Sequence, residues 1–288
     1  MSGRIHRVGV VGCGLMGSGI AEVCARAQLD VVVVEANDEG LDAGRRRVEQ
    51  SMSRAVRAGK LSSEQLDAAL GRMRFSVDID DLADRELVVE AVMEAEAAKL
   101  EVFGRLDRVV DDPAAILASN TSSIPIMKLA MATKRPHAVL GIHFFNPVPV
   151  LKLVEVVTSL LTSPDTEARA DAFAAAQLGK RVIHSKDRAG FIVNALLVPY
   201  LLSGIRMLES GFATADDIDA GMVEGCAHPM GPLALSDLIG LDTIKAVAES
   251  LYGEFKEPLY APPPLLQRMV EAGLLGRKTG RGFYEYGR

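Results

Sequence analysis

A histidine and a glutamate stand twelve positions apart in the stretch Gly141–Val157, GIHFFNPVPVLKLVEVV. Imidazole and carboxylate together can move a proton near neutral pH, the imidazole as base and the carboxylate as the group that orients it. His143 and Glu155 are equidistant from Pro149, so a chain that turns back about that proline sets them opposite each other. At strand period Leu153 and Val157 share the face of Glu155, while Val154 and Val156 cover the other. That pattern predicts a buried carboxylate, and a buried carboxylate needs a partner. Two readings follow from this stretch: a His–Glu general-base pair, or a pair that only satisfies a core.

The elements that would position such a pair begin at the N-terminus. Arg7–Val11 is a short β-branched run followed at once by Gly12-Cys13-Gly14-Leu15-Met16-Gly17 and then by helix-compatible sequence to Ala27. Strand, GxGxxG and helix come in the order of a dinucleotide-binding unit. Gly12 serves the tight turn, Gly14 the approach of a pyrophosphate and Gly17 the helix–strand contact, and the helix start, with Leu15 and Met16, supplies amides and dipole. A second run, Asp30–Val34, ends in Glu35, eighteen residues beyond Gly17. An acid there accepts from a free ribose 2′-hydroxyl and repels a 2′-phosphate, so NAD is expected over NADP.

Further apolar runs at 87–92, 115–118 and 139–142, separated by helical patterns, predict a parallel sheet buried on both faces. Ligands to such sheets collect at the carboxyl ends of the strands. Glu94, the run Ser119-Asn120-Thr121-Ser122-Ser123 and His143 are placed there, with Lys99 about a turn into the next helix. A helix cap before Pro125 accounts for part of the Ser/Asn/Thr run, but five consecutive polar residues exceed one cap. After the second strand, 41–59 reads as a helix with a core face of Val48, Met52, Ala55 and Val56. Arg47, Arg54 and Arg57 fall at helical spacing elsewhere on it. They form either a solvated face or a docking point for an anion. Ser62 with Gln65 is a capping box for the following helix.

A last strand is expected at 180–184, then a polar connection, after which strand patterns stop. The expected architecture is α/β: a Rossmann-type, mostly parallel sheet over 1–185 and a second, all-α C-terminal domain over 186–288. The helix from Phe191 to Leu208 carries Asn194 near its start and Pro199 inside it, and is apolar round most of its circumference. That suits central burial or a subunit interface. Asn194 is either an internally satisfied amide or a group directed at the first domain's cleft. His228 before Pro229, and Asp237 and Asp242, read as structural.

Composition narrows the class. Hydrophobic residues make up 49% of the chain and charged residues 24%, no apolar run reaches membrane-span length, and the net charge is −6 without a basic block. A membrane and nucleic acid are therefore not expected partners. Cys13, Cys24 and Cys226 form no metal or disulfide pattern, and no export signal is read at the start. A reducing cytoplasm is expected, with no metal.

The segments GVVGCGLMGSGIA, LASNTSSI, GIHFFNPVPVLKLVEVV, KDRAGFIVNALLVPYL, HPMGPLALSDLIGLD and RKTGRGFYEY together resemble the 3-hydroxyacyl-CoA dehydrogenases. The compact length is most similar to the bacterial 3-hydroxybutyryl-CoA members. The resemblance spans almost the whole chain in family order. It implies reversible oxidation of an (S)-3-hydroxyacyl-CoA by NAD⁺, with His143 as base, Glu155 as its partner, and Ser122 and Asn194 as substrate contacts. It further implies cofactor contacts from Gly12, Gly14, Leu15, Met16, Gly17, Glu35, Glu94, Lys99 and Lys278. The phosphates of CoA would lie on the basic helix at Arg54 and Arg57, and two subunits would pair through the helical half. The family commonly has Asp where this chain has Glu35, and lysines where its helix has arginines. Two alternatives stand beside this reading: an NAD-dependent dehydrogenase of a free 3-hydroxyacid, and a crystallin-like NAD-binding protein without turnover.

Overall fold

The computed structural model describes residues 4–287 and divides after Arg188 into two compact units. The first is built on one eight-stranded sheet. Its strands are β1 (Arg7–Val11), β2 (Asp30–Val34), β3 (Met73–Ser76), β4 (Leu87–Glu90), β5 (Ile116–Ser119), β6 (Val139–Phe144), β7 (Leu153–Thr158) and β8 (Arg181–Lys186), in the order β3-β2-β1-β4-β5-β6-β7-β8. All neighbouring pairs are parallel except β6 and β7. The helices α1 (Leu15–Arg26), α2 (Asp38–Arg57), α3 (Ser63–Leu70), α4 (Glu96–Val109), α5 (Ile126–Met131) and α6 (Pro164–Asp171) connect them. Burial of β1, β2, β4, β5 and β6 is nearly complete. That is why these strands read as unbroken β-branched runs instead of alternating ones.

Strand order reverses between β1 and β4, so the crevice outside their carboxyl ends is the position at which doubly wound sheets take ligands. Boundaries at β4, β6 and α2, among others, differ from the sequence expectation. β4 stops at Glu90, since the chain turns to let Val92 N–H meet the Glu90 carboxylate at 2.7 Å. β6 continues through His143 to Phe144, so the histidine lies inside the strand and not after it. α2 begins at Asp38, capped by Asn37, whose side chain accepts from Gly40 N–H. Its buried face is Leu41, Gly44, Val48 and Met52, with Ala55 and Val56 only half-buried because the helix runs out to the surface. The capping box of Ser62 and Gln65 is present.

The second unit is helical: α7 (Val193–Glu209), α8 (Ala215–Cys226), α9 (Pro232–Ile239), α10 (Leu241–Phe255) and α11 (Pro264–Glu271). Its core joins Val198, Leu201, Leu202 and Ile205 of α7 to Leu233, Leu241, Ile244, Leu251 and Leu266. α7 is buried along one stripe and leaves Leu196 72% exposed, so its apolar circumference is only partly used within the unit. The C-terminal tail is pinned by Asp237, whose buried carboxylate accepts from Phe283 N–H, Tyr284 N–H and the Tyr286 hydroxyl. No helix of the described residues is long and apolar enough to cross a membrane.

Candidate active site

The antiparallel register sets His143 directly opposite Glu155, as the count about Pro149 requires. The imidazole Nδ1 lies 2.7 Å from Glu155 Oε2. Glu155 is wholly buried and His143 is 6% exposed. Val154 and Val156 face the hydrophobic core of the first unit, which holds the opposite face of the strand in place. Phe145 lies against the imidazole in a tilted arrangement, ring centroids 4.6 Å apart. A carboxylate on Nδ1 fixes one tautomer and stabilises an imidazolium, leaving proton exchange to Nε2.

The glycine loop has the three properties its motif demands. Gly12 sits at φ +92°, and an added Cβ would lie 2.7 Å from the Ala91 carbonyl of the β4 crossover. A Cβ at Gly17 would lie 1.8 Å from Gly12 O, so only glycine lets α1 pack on the turn. At Gly14, the residue before α1, a Cβ would meet nothing within 4 Å, so the space in front of the helix start is open. The first-turn amides of α1 have no intrahelical partners and carry the positive end of the dipole. Glu35 follows β2, and its two carboxylate oxygens accept from Cys13 N–H and Ala36 N–H respectively. Each oxygen keeps a second lone pair for a ribose hydroxyl. Open space at Gly14, the helix start and a half-buried acid at Glu35 fit a dinucleotide. The Cys13 thiol beside this loop is pushed up to about 12 by burial and by the Glu35 charge, so it stays protonated.

Glu94 and Lys99 belong to a network the sequence showed only in part. Lys99 is 1% exposed and donates to Glu90 Oε1 at 2.6 Å, with Glu94 Oε2 at 3.2 Å. Glu90 is fully buried in β4 and also accepts from Ser119 Oγ at 2.6 Å. Glu94 Oε1 collects the Thr121 and Ser123 hydroxyls and the Ser122 and Ser123 amides. Burial works to raise the Glu94 carboxyl, but Lys99 and these donors outweigh it and hold the group below its ordinary value. The Ser122 hydroxyl takes no protein partner among the described residues, so it is available to a ligand. On α2, Arg54 lines a groove with Ser18, Glu22, Arg47, Ser51 and Asn146. Arg57 lines a second depression, with Ser63 and Asp67.

The 3-hydroxyacyl-CoA dehydrogenase NAD-binding domain model matches residues 7–188, and the C-terminal domain model of the same family matches residues 190–286. The chain belongs to the 3-hydroxyacyl-CoA dehydrogenase family. It is 62% identical over 286 residues to the 3-hydroxybutyryl-CoA dehydrogenase of Mycobacterium tuberculosis, covering 99% of this chain and 100% of the relative. The crystal structure of M. tuberculosis FadB2 superposes with a TM-score of 0.98 at 61% identity, covering 99% and 100% of the two chains. The (S)-3-hydroxybutyryl-CoA dehydrogenase PaaH1 from Ralstonia eutropha superposes with a TM-score of 0.93 at 45% identity, with the same coverage.

As a 3-hydroxyacyl-CoA dehydrogenase it is an NAD-dependent oxidoreductase, and the first unit is the one that the family's NAD-binding domain matches. The second unit holds two residues read as site candidates from the sequence. Asn194 is half-buried near the start of α7, and Lys278 is bound to both carboxylate oxygens of Asp242. Glu90, a charge within the apolar run 87–92, is a site-forming group that is absent from the sequence-based candidates. Its position nine residues before the buried Lys99 was the available signal.

Proposed function

We propose that this protein interconverts (S)-3-hydroxybutyryl-CoA and acetoacetyl-CoA. The observation that carries the reading is the buried His143–Glu155 pair at the carboxyl end of β6, in the sheet that also bears the dinucleotide loop. In the oxidative direction His143 Nε2 takes the proton of the substrate hydroxyl, and Glu155 holds the ring and stabilises the imidazolium. NAD⁺, held at the glycine loop and Glu35, would supply the hydride acceptor for C3. In reverse the protonated imidazole donates to the ketone oxygen. Ser122 and Asn194 are assigned to the substrate oxygens; Gly12, Gly14, Leu15, Met16, Gly17, Glu35, Glu94, Lys99 and Lys278 to the cofactor; and Arg54 and Arg57 to the phosphates of CoA. Lys99 acts in this scheme from its buried pair with Glu90, setting Glu94 and the turn after β4.

The name of the 62% identical relative supports the four-carbon thioester. The exposed arginines of α2 support a thioester over a free acid, since a free 3-hydroxyacid has no phosphate for them to bind. The domain boundary proposed for this division of labour lies at 185/186. Exposed Leu196 and Phe212 support pairing of two subunits through the helical unit, and three unpaired cysteines support a reducing cytoplasm. The test is NADH oxidation with acetoacetyl-CoA against acetoacetate. Turnover only with the thioester is expected. Equal or better kcat/KM with the free acid would refute the substrate, and no turnover with either would refute the activity.

A further inference from the structure

β5 ends at Ser119, which pairs with Gly141, yet β6 runs on through His143 to Phe144. On one side this extension is matched by β7. On the other, the strand that would receive its amide hydrogens has stopped. Asn120 fills that place: its Oδ1 accepts the Phe144 amide at 2.9 Å. Its backbone N–H donates to the Glu90 carbonyl at 2.8 Å, adding one rung to the β4–β5 ladder. The carboxylate of Glu90 is fixed in turn by Lys99 and Ser119. Glu90, whose side chain is held by Lys99 and Ser119, is thus linked through its backbone carbonyl to Asn120, and Asn120 through its side chain to the peptide that follows the histidine.

We propose that Asn120 is the positioning residue for the catalytic base, setting the backbone of β6 so that the imidazole stays on Glu155. The proposal rests on the reading of His143 as base. Without the Oδ1 acceptor, the Phe144 N–H loses its partner and the end of β6 is held from the β7 side alone. A displacement near 1 Å at a reacting group costs about 10²-fold in rate. Asn120 touches neither His143 nor Glu155 by a side-chain hydrogen bond among the described residues, so its effect on the chemistry passes through the strand.

The experiment compares Asn120→Ala, Asn120→Asp and His143→Ala in acetoacetyl-CoA-dependent NADH oxidation, with NADH affinity measured separately by fluorescence. Asn120→Ala is expected to lose about 10²-fold in kcat, with KM and NADH affinity within about threefold. Its primary isotope effect from deuterated NADH should rise as hydride transfer becomes limiting. Asn120→Asp, which keeps an oxygen in place, should recover most of kcat. Asn120→Ser is too short to reach Phe144 and carries the same expectation as alanine if the alanine variant does not fold. Wild-type kcat in the alanine or serine variant overturns the proposal, as does an equal loss in the aspartate variant or a change confined to KM. Retained turnover in His143→Ala refutes the base itself, whereas an inactive His143→Ala beside a wild-type Asn120→Ala refutes only the positioning role.

Discussion

Replacing Glu155 by glutamine keeps the volume of a wholly buried side chain and removes its charge, which isolates what the carboxylate does for His143. At about 4 Å between charges and an effective dielectric near 20, a carboxylate stabilises an imidazolium by about 4 kcal/mol. If about half of that charge has developed in the transition state, the barrier rises by about 2 kcal/mol, or about 30-fold in kcat at 1.36 kcal/mol per decade. The amide adds a second penalty. Its NH₂ can donate to Nδ1 across the 2.7 Å contact, placing the ring proton on Nε2, where a base needs a lone pair. Loss of the correct tautomer in a comparable carboxylate–histidine pair costs about 10⁴-fold, so the expected loss in kcat lies between about 30-fold and about 10⁴-fold. NADH affinity, set on the β1–β4 side of the sheet, should stay within about twofold. The assay is steady-state oxidation of NADH with saturating acetoacetyl-CoA, beside fluorescence titration of NADH. A kcat within about threefold of wild type would refute the reasoning, because it would mean that His143 neither needs the charge nor depends on the tautomer.

Three other outcomes are expected. Gly14→Ala should leave the thermal midpoint of the free protein within a degree or two, about the scale of a surface change, yet weaken NADH binding, whereas Gly17→Ala should destabilise the fold because its Cβ would strike Gly12 O at 1.8 Å; equal melting curves for the two variants would contradict this. Lys99→Met leaves the Glu90 carboxylate buried and unpaired and should cost about 3–5 kcal/mol in denaturant unfolding, with part of the loss returned by Glu90→Gln in the same chain; additive losses would show that the pair is not coupled. Iodoacetamide should label only Cys226 in the native protein, since Cys226 is exposed while Cys13 and Cys24 are buried and pushed up to about 12. Both remain thiols up to two units below that value, so raising the pH from 7 to 9 should not open them to the reagent; modification of Cys13 or Cys24 detected by mass spectrometry before unfolding would refute it.

The parts of the fold legible in the sequence were those governed by counting. β1 and β2 carry their β-branched runs within the observed bounds, and the spacing of His143 and Glu155 about Pro149 fixed their register once the turn formed. β3 was not read as a strand because its four residues, MRFS, lie half-buried or exposed at the sheet edge, where neither a continuous nor an alternating apolar pattern is required. The extension of β6 past Ile142 is not legible in an apolar pattern, because it is completed by the side chain of Asn120, which is distant in sequence. In the run from Ser119 to Ser123 the residue types announced a polar site but not its division of labour. Ser119 serves Glu90, Thr121 and Ser123 serve Glu94, and Asn120 serves the backbone of β6. Helical spacing alone could not separate Arg54 from Arg57, because the grooves they line depend on where α1 and α3 pack against α2.

The single antiparallel pairing of the described sheet also bears on the order in which the protein assembles. His143 and Glu155 are joined by a loop that closes locally, and hairpins form in about 1–10 μs. The pairing of β1 with β4 must instead bring Val8 to Leu87 across the whole of α1, β2, α2, α3 and β3, and such long closures delay folding. The hairpin that carries His143 and Glu155 can therefore form early, while the crevice between β1 and β4 waits for the strands on either side of the switch point. In pulse-labelled hydrogen exchange during refolding, the amides of 141–144 and 154–157 should gain protection before those of 8–11 and 87–90.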